Sequence, residues 1–224
     1  MTDFEKTISL ILKDLTNVHE NMRSLSEDIW DSIDHTDSET VKKGSDFTIK
    51  FNDLLKLFEN NKKDITNLII QYSGVTIEER PKIVNKEDVE NQRIIKELNQ
   101  SEPHEITEDF TYKRPAAFIF NGCAYSEMNN WRDLYIQFLE CVAKLNPSKL
   151  KEMADNKKFF STQSKRYYSS ENKGLNRPAK IMNDFFVDTN FSANNIAKHI
   201  IEILNHIGMK TSDITIYLRQ DRNA

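Results

Sequence analysis

The sequence predicts an α+β protein in which a long antiparallel helical hairpin, coiled-coil-like in its spacing, precedes a small C-terminal α+β domain. Three observations predict it. Phe4, Ile8, Ile11, Leu15, Val18, Met22, Leu25 and Ile29 recur at alternating intervals of four and three, which is a heptad seam. Only five Gly and five Pro occur in 224 residues, so little interrupts long helices. Beyond residue 112 the pattern changes to short apolar runs divided by turn residues.

The first helix is widened by Leu12, Trp30 and Ile33, so it should pack into a bundle and not only a two-stranded coil. The polar run "DHTDSETVKKGSD" breaks the period. Phe47, Phe51, Leu54, Phe58, Ile65, Leu68 and Tyr72 then resume it, with Asn61 in the missing seam position. A short connection between two long helices folds them back as an antiparallel pair. Asn61 either fixes the register of a buried seam or marks where the seam opens to water. A third helix is expected within "KEDVENQRIIKELNQ", its face made by Val89, Ile94, Ile95 and Leu98. "GVTIEERPKIVN" reads as a connector, because Pro81 disfavours helix at Arg80.

This organisation makes residues 1–100 an α-helical assembly region, 101–112 a polar linker and 113–224 a basic α+β domain. The eight-position seam carries more apolar surface than one hairpin can cover. Ile8, Ile11, Leu15, Val18, Met22, Leu25 and Ile29 are therefore the expected contact with a protein partner or a second copy.

In the C-terminal region "AAFIFNGCAYS" places Asn-Gly between two short apolar runs, a strong hairpin signal. An amphipathic helix follows, with Trp131, Leu134, Tyr135, Phe138, Leu139 and Val142 on one face and Asn129 or Asn130 as its cap. Pro147 begins a short helix. "AKIMNDFFVDTN" holds two strand candidates, Ser192 caps the last helix and Gly208 ends it, and "SDITIYLR" alternates like a final strand.

With 29% charged and 38% hydrophobic residues the chain reads as a globular protein and not a disordered one. No stretch approaches the roughly 18 apolar residues of a membrane span, and the N-terminus is acidic where a signal peptide is basic. A cytoplasmic location without a membrane partner is the expectation. Cys123 and Cys141 fit no metal spacing and should be small buried residues. Charge divides the chain: residues 1–112 hold 14 Lys and Arg against 24 Asp and Glu, whereas 113–224 hold 17 against 11. A nucleic-acid partner would meet the second half.

Two stretches, "FIFNGCAYSEMNNWRDLYIQFLECVAKLNP" and "FFVDTNFSANNIAKHIIEILNHIGMKTSDITIYLR", carry a resemblance. Residues 113–219 resemble a small α+β module that recurs at the C-termini of bacterial proteins, including ones associated with restriction and phage defence. The shared features are the F-I-F-N-G hairpin, the tryptophan opening the helix, and T-N-F-S-A-N-N-I passing from strand to helix. The resemblance implies an accessory, binding or assembly module; it carries over no catalytic residues.

No phosphate-cradling loop or dinucleotide fingerprint is present in the sequence. His199 and His206 lie seven apart on the last helix, without the further ligands a zinc site needs. Asp184, Asp188 and Lys180 form the one constellation that could serve metal-dependent cleavage, although paired acids at strand ends usually form turns and caps. The acidic cluster Glu27, Asp28, Asp31, Asp34, Asp37 and Glu39 either docks a basic partner or is a solvated tip. Neither a cofactor nor a metal is expected.

The basic stretch "KFFSTQSKRYYSSENKGLNRPAK" remains. Between Lys157 and Lys180 lie Lys157, Lys158, Lys165, Arg166, Lys173, Arg177 and Lys180, against Glu171 alone. Cations at this density suit phosphates, Tyr167 and Tyr168 could stack on unpaired bases, and the intervening Ser and Thr could donate to phosphate oxygens. An anionic protein partner or a solvated loop are the other readings. The function expected is that of a non-catalytic accessory or assembly subunit of a bacterial defence or mobile-element system. It would bind a partner through its helices and DNA or RNA through 157–180. An adaptor or inhibitor that binds protein alone is the alternative, and a nuclease the third.

Overall fold

The computed structural model describes residues 3–74, 88–99, 101–160 and 166–219, with backbone alone at 3 and 88–90. Two compact units divide the chain, Met1–Lys86 and Glu87–Ala224.

The first unit is the expected helical hairpin, α1 (Asp3–Asp31) and α2 (Ser38–Ser73). Asp37 caps α2 by accepting the backbone N–H groups of Glu39 and Thr40, and Gly74 ends it in the left-handed conformation. The helices run antiparallel with His19 stacked on Phe58, their ring centroids 6.0 Å apart. Near the connection Ile33 packs onto Gly44, where a Cβ would lie 2.0 Å from its Cδ1.

The second unit begins with α3 (Asp88–Leu98), so this helix belongs with the C-terminal elements and not with the hairpin. Asn91 explains why. Its side-chain amide donates to Gly122 O at 2.9 Å and accepts from Ala124 N at 2.8 Å, pairing with edge backbone as another strand would. The connector reading of 75–85 falls outside the described residues.

Four antiparallel strands form the first sheet in the order β1-β7-β2-β3: β1 (Pro103–Glu105), β7 (Ile214–Leu218), β2 (Pro115–Phe120) and β3 (Cys123–Tyr125). Asn121 and Gly122 turn the β2–β3 hairpin with φ of 49° and 74°, the positive pair a two-residue primed turn requires. Residues 101–112 are therefore not a linker. Their strand pairs with β7, Ile106 and Phe110 are buried, and the polar residues between them close local turns. Asn194 holds this segment in place, accepting from Phe110 N at 2.8 Å and donating to Asp109 Oδ1 at 2.7 Å.

A second antiparallel sheet follows the order β4-β6-β5, from β4 (Tyr168–Ser169), β6 (Phe185–Asp188) and β5 (Pro178–Met182). Around the two sheets pack α4 (Trp131–Leu145), α5 (Pro147–Glu152) and α6 (Ala193–Ile207). Asn130 and Ser192 cap α4 and α6 as the sequence suggests, and Gly208 closes α6 at φ 81°. The predicted face of α4 is buried throughout, and Trp131 Nε1 donates to Lys113 O at 2.8 Å. Of the two thiols, Cys141 is buried as expected, while Cys123 is exposed beside the hairpin turn. Among the described residues no helix is long and apolar enough to cross a membrane.

Candidate functional site

The heptad seam of α1 splits into two rows. Ile8, Leu15, Met22 and Ile29 are half-buried, whereas Phe4, Ile11, Val18 and Leu25 are exposed. The line facing α2 runs instead through Leu12, His19, Ser26 and Ile33. Polar groups thus occupy part of the contact. His19 is buried there with no hydrogen-bond partner for either ring nitrogen among the described residues, and burial holds its pKa down.

The same division recurs in α2. Leu55 is buried, but Leu54 is 63% exposed, Leu68 68% and Tyr72 88%, and Phe47 and Ile65 are exposed with them. At about 100° per residue, each exposed row lies roughly a quarter turn before the helix–helix contact line. In an antiparallel pair equal rotations of that sense bring both rows to one face. The hairpin therefore presents an apolar face carried by both helices, and at 38–88% exposure its nine large side chains leave on the order of 900 Å² open, above the roughly 300–600 Å² of an ordinary monomer's largest patch. The sequence reading placed the assembly contact on α1 alone. The α2 residues were visible in the same period, and their exposure follows from the rotation of the contact line.

The described residues of the basic segment are tied into the second unit. Asn156 caps a short 3-10 turn, Lys157–Phe159, that exposes Lys157 and Lys158 and buries Phe159. Phe160 bridges to Arg166 in backbone pairing, and the Arg166 guanidinium lies 5.5 Å from the centre of the Phe160 ring. Ser161, Thr162, Ser164 and Lys165 lie outside the described residues. Beyond the sheet, Asp188 anchors the loop that carries Lys173 and Arg177. Its buried carboxylate accepts from the backbone of Asn176, Arg177 and Asn190 at 3.0, 3.2 and 3.1 Å. Thr189 Oγ1 donates to Arg177 O at 2.8 Å and accepts from Arg132 Nε at 2.9 Å. Lys173 and Lys180 are exposed, Arg177 half-buried.

Tyr168 corrects the sequence reading. It is fully buried, with its hydroxyl 2.9 Å from that of Tyr135 and 3.4 Å from His199 Nδ1. It faces inward because Tyr168, Val187 and Ala179 stand in one cross-strand row against the core. Tyr168 cannot meet a base without unfolding the sheet. Tyr167 is half-buried, edge-on to His199 and Phe191 at 4.8 and 5.3 Å. These aromatics pack against the core, and the exposed polar surface of the segment is shared by Arg166, Lys173 and Lys180 with Ser170, Glu171, Asn172 and Asn176.

The cleavage constellation is not brought together. Asp184 turns the β5–β6 hairpin and accepts from Lys151 Nζ at 2.6 Å, while Asp188 is occupied by the loop amides. His206 Nε2 lies 2.9 Å from Lys149 O, apart from His199 in its tyrosine cluster. Among the described residues no three His, Cys, Asp or Glu side chains cluster as a metal site. The acidic residues of the hairpin connection are used locally in part, Asp34 bonding Thr36 and Asp37 bonding Thr40. Comparison with protein-family models, curated proteins and solved structures finds no match to this chain.

Burial pushes the His199 imidazole down to about 4, against the attraction of Asp188. Between pH 6.5 and 4 the unfolded chain takes up a proton that the folded one refuses. Stability should therefore fall as pH drops through that window, by about 3 kcal/mol in total. Urea unfolding followed by Trp131 fluorescence in a Trp30→Phe background reads the second unit. His199→Gln should flatten the pH slope above 4, and an unchanged slope would show that His199 is not the titrating group.

Proposed function

We propose that this chain is a non-catalytic accessory or assembly subunit of a bacterial defence or mobile-element system, which docks a helical protein through the apolar face of its hairpin. One observation carries the reading. Two parallel rows of large apolar side chains, five of them on α2, lie open on one side of a two-helix layer. A single helical layer lacks the second layer that a stable bundle buries its apolar stripe against. The resemblance of residues 113–219 to modules of defence-associated proteins supplies the biological setting.

A photo-crosslinking residue placed at position 54 or 68, in cells of the native host, should capture a protein. The same residue at Lys63, exposed on the opposite side of α2, should not. Capture at neither face position, or equal capture at Lys63, would remove the docking reading. The mass of the captured species states whether it is another protein or another copy.

The second unit is proposed to contact DNA or RNA through phosphates alone. Lys157, Lys158, Lys173 and Lys180 are exposed on turns and a strand, while Tyr168 is buried in the core and Tyr167 half-buried against His199 and Phe191. Changing these four lysines to Gln should weaken binding and flatten the slope of log affinity against log salt by up to roughly 3–4 units. Tyr167→Phe should leave single-strand affinity unchanged. A folded wild-type protein without affinity for either nucleic acid at low salt would leave the protein-binding adaptor as the reading.

A further inference from the structure

We propose that the apolar face of the hairpin is covered by a second copy of this chain, in a four-helix bundle whose two-fold axis passes at Asn61 with the two connections at opposite ends. The proposal rests on the docking reading above and names its partner.

Area is the first argument. Two copies laid face to face would bury on the order of 1,800 Å², within the 1,200–2,000 Å² of a stable specific interface. A two-fold contact also requires a surface that complements itself, and two rows of equal character on one flat layer meet that condition.

Height along the bundle is the second argument. His19 stands opposite Phe58 and Ile33 opposite Gly44, so residues level with one another across the hairpin have numbers that sum to a constant. Asn61 is then level with Thr16. The α1 row runs from Phe4 to Leu25 and the α2 row from Phe47 to Tyr72, and both are centred near that height. An axis perpendicular to the helices there superposes each row on its own copy over the full length.

Asn61 itself is the third argument. It is exposed in the α2 row between Leu54 and Leu68, the single polar break in that line. On the axis its amide meets the same amide of the other copy, which can donate and accept in return. Displaced by a turn it would face leucine and lose its partners, so the register is fixed.

Charge decides the direction. From Glu27 to Lys43 the end of the hairpin carries six carboxylates against Lys42 and Lys43. Placing both connections at one end would crowd these charges together. With a two-fold axis across the helices at Asn61 they lie about 70 Å apart, twice the rise of the roughly 23 residues between Asn61 and the start of α2, far beyond the reach of screened charge.

Sedimentation equilibrium of the purified full-length protein should give twice its 26.2 kDa mass. With exposed Cys123 changed to Ser, Asn61→Cys should form a disulfide-linked dimer under mild oxidation, whereas Ser38→Cys at the start of α2, beside the connection, should not. Leu54→Asp with Leu68→Asp should give a monomer that retains the Trp131 fluorescence of a folded second unit. A wild-type monomer at high micromolar concentration would overturn the proposal, as would a dimer linked through Ser38→Cys in place of Asn61→Cys. A monomer in vitro whose face captures a different protein in cells would end this proposal and leave the docking reading standing.

Discussion

A pair of antiparallel helices buries one line of side chains from each member, and α1 and α2 each carry two lines of apolar residues. Which line turns inward settles the chemistry of the unit. The contact runs through Leu12, His19, Ser26 and Ile33, with His19 stacked on Phe58 and lacking a hydrogen bond, so the inner line is partly polar. The outer line is the more apolar of the two. Hydrophobic burial is the dominant favourable term in helix association, and here much of it is still to be realised. The proposed docking of a further helical layer rests on that imbalance.

The second unit solves its own burial internally. Its two antiparallel sheets pack against the aromatic-rich face of α4 and the aliphatic face of α6, and several polar groups of its core are paired. Tyr135, Tyr168 and His199 form a short buried chain of hydroxyls and imidazole. Asp188 and Asn194 tie loops to the sheets by hydrogen bonds with backbone amides. Those two residues are scaffold. For the proposed phosphate contact their part would be positional, since the Asp188 clamp holds the base of the loop bearing Lys173. A cation on a fixed base loses less side-chain freedom when it meets a phosphate than one on a free loop.

Much of this was legible in the sequence because it is written in local signals. The heptad spacing gave both long helices, Asn121-Gly122 the hairpin, Asn130, Ser192 and Gly208 the helix ends. What was not legible depends on contacts distant in the chain. Residues 101–112 look like a linker until Pro103–Glu105 is paired with a strand more than a hundred residues later. The third helix looks like part of the hairpin until Asn91 is seen bonding the β3 edge. Tyr168 reads as a stacking residue beside cations, and only strand register reveals that it faces the core. The seam of α1 was plain, but period alone cannot say which of two adjacent rows faces the neighbouring helix.

The claim at the centre of this account is that the open face of the hairpin is an interface. Amide hydrogen exchange measured across a wide range of protein concentration tests it most directly, because protection supplied by a second copy follows mass action. The account predicts that exchange in α1 and α2 slows as concentration rises, while the strands of the second unit exchange at a constant rate. Protection of the hairpin that does not change with concentration would contradict it.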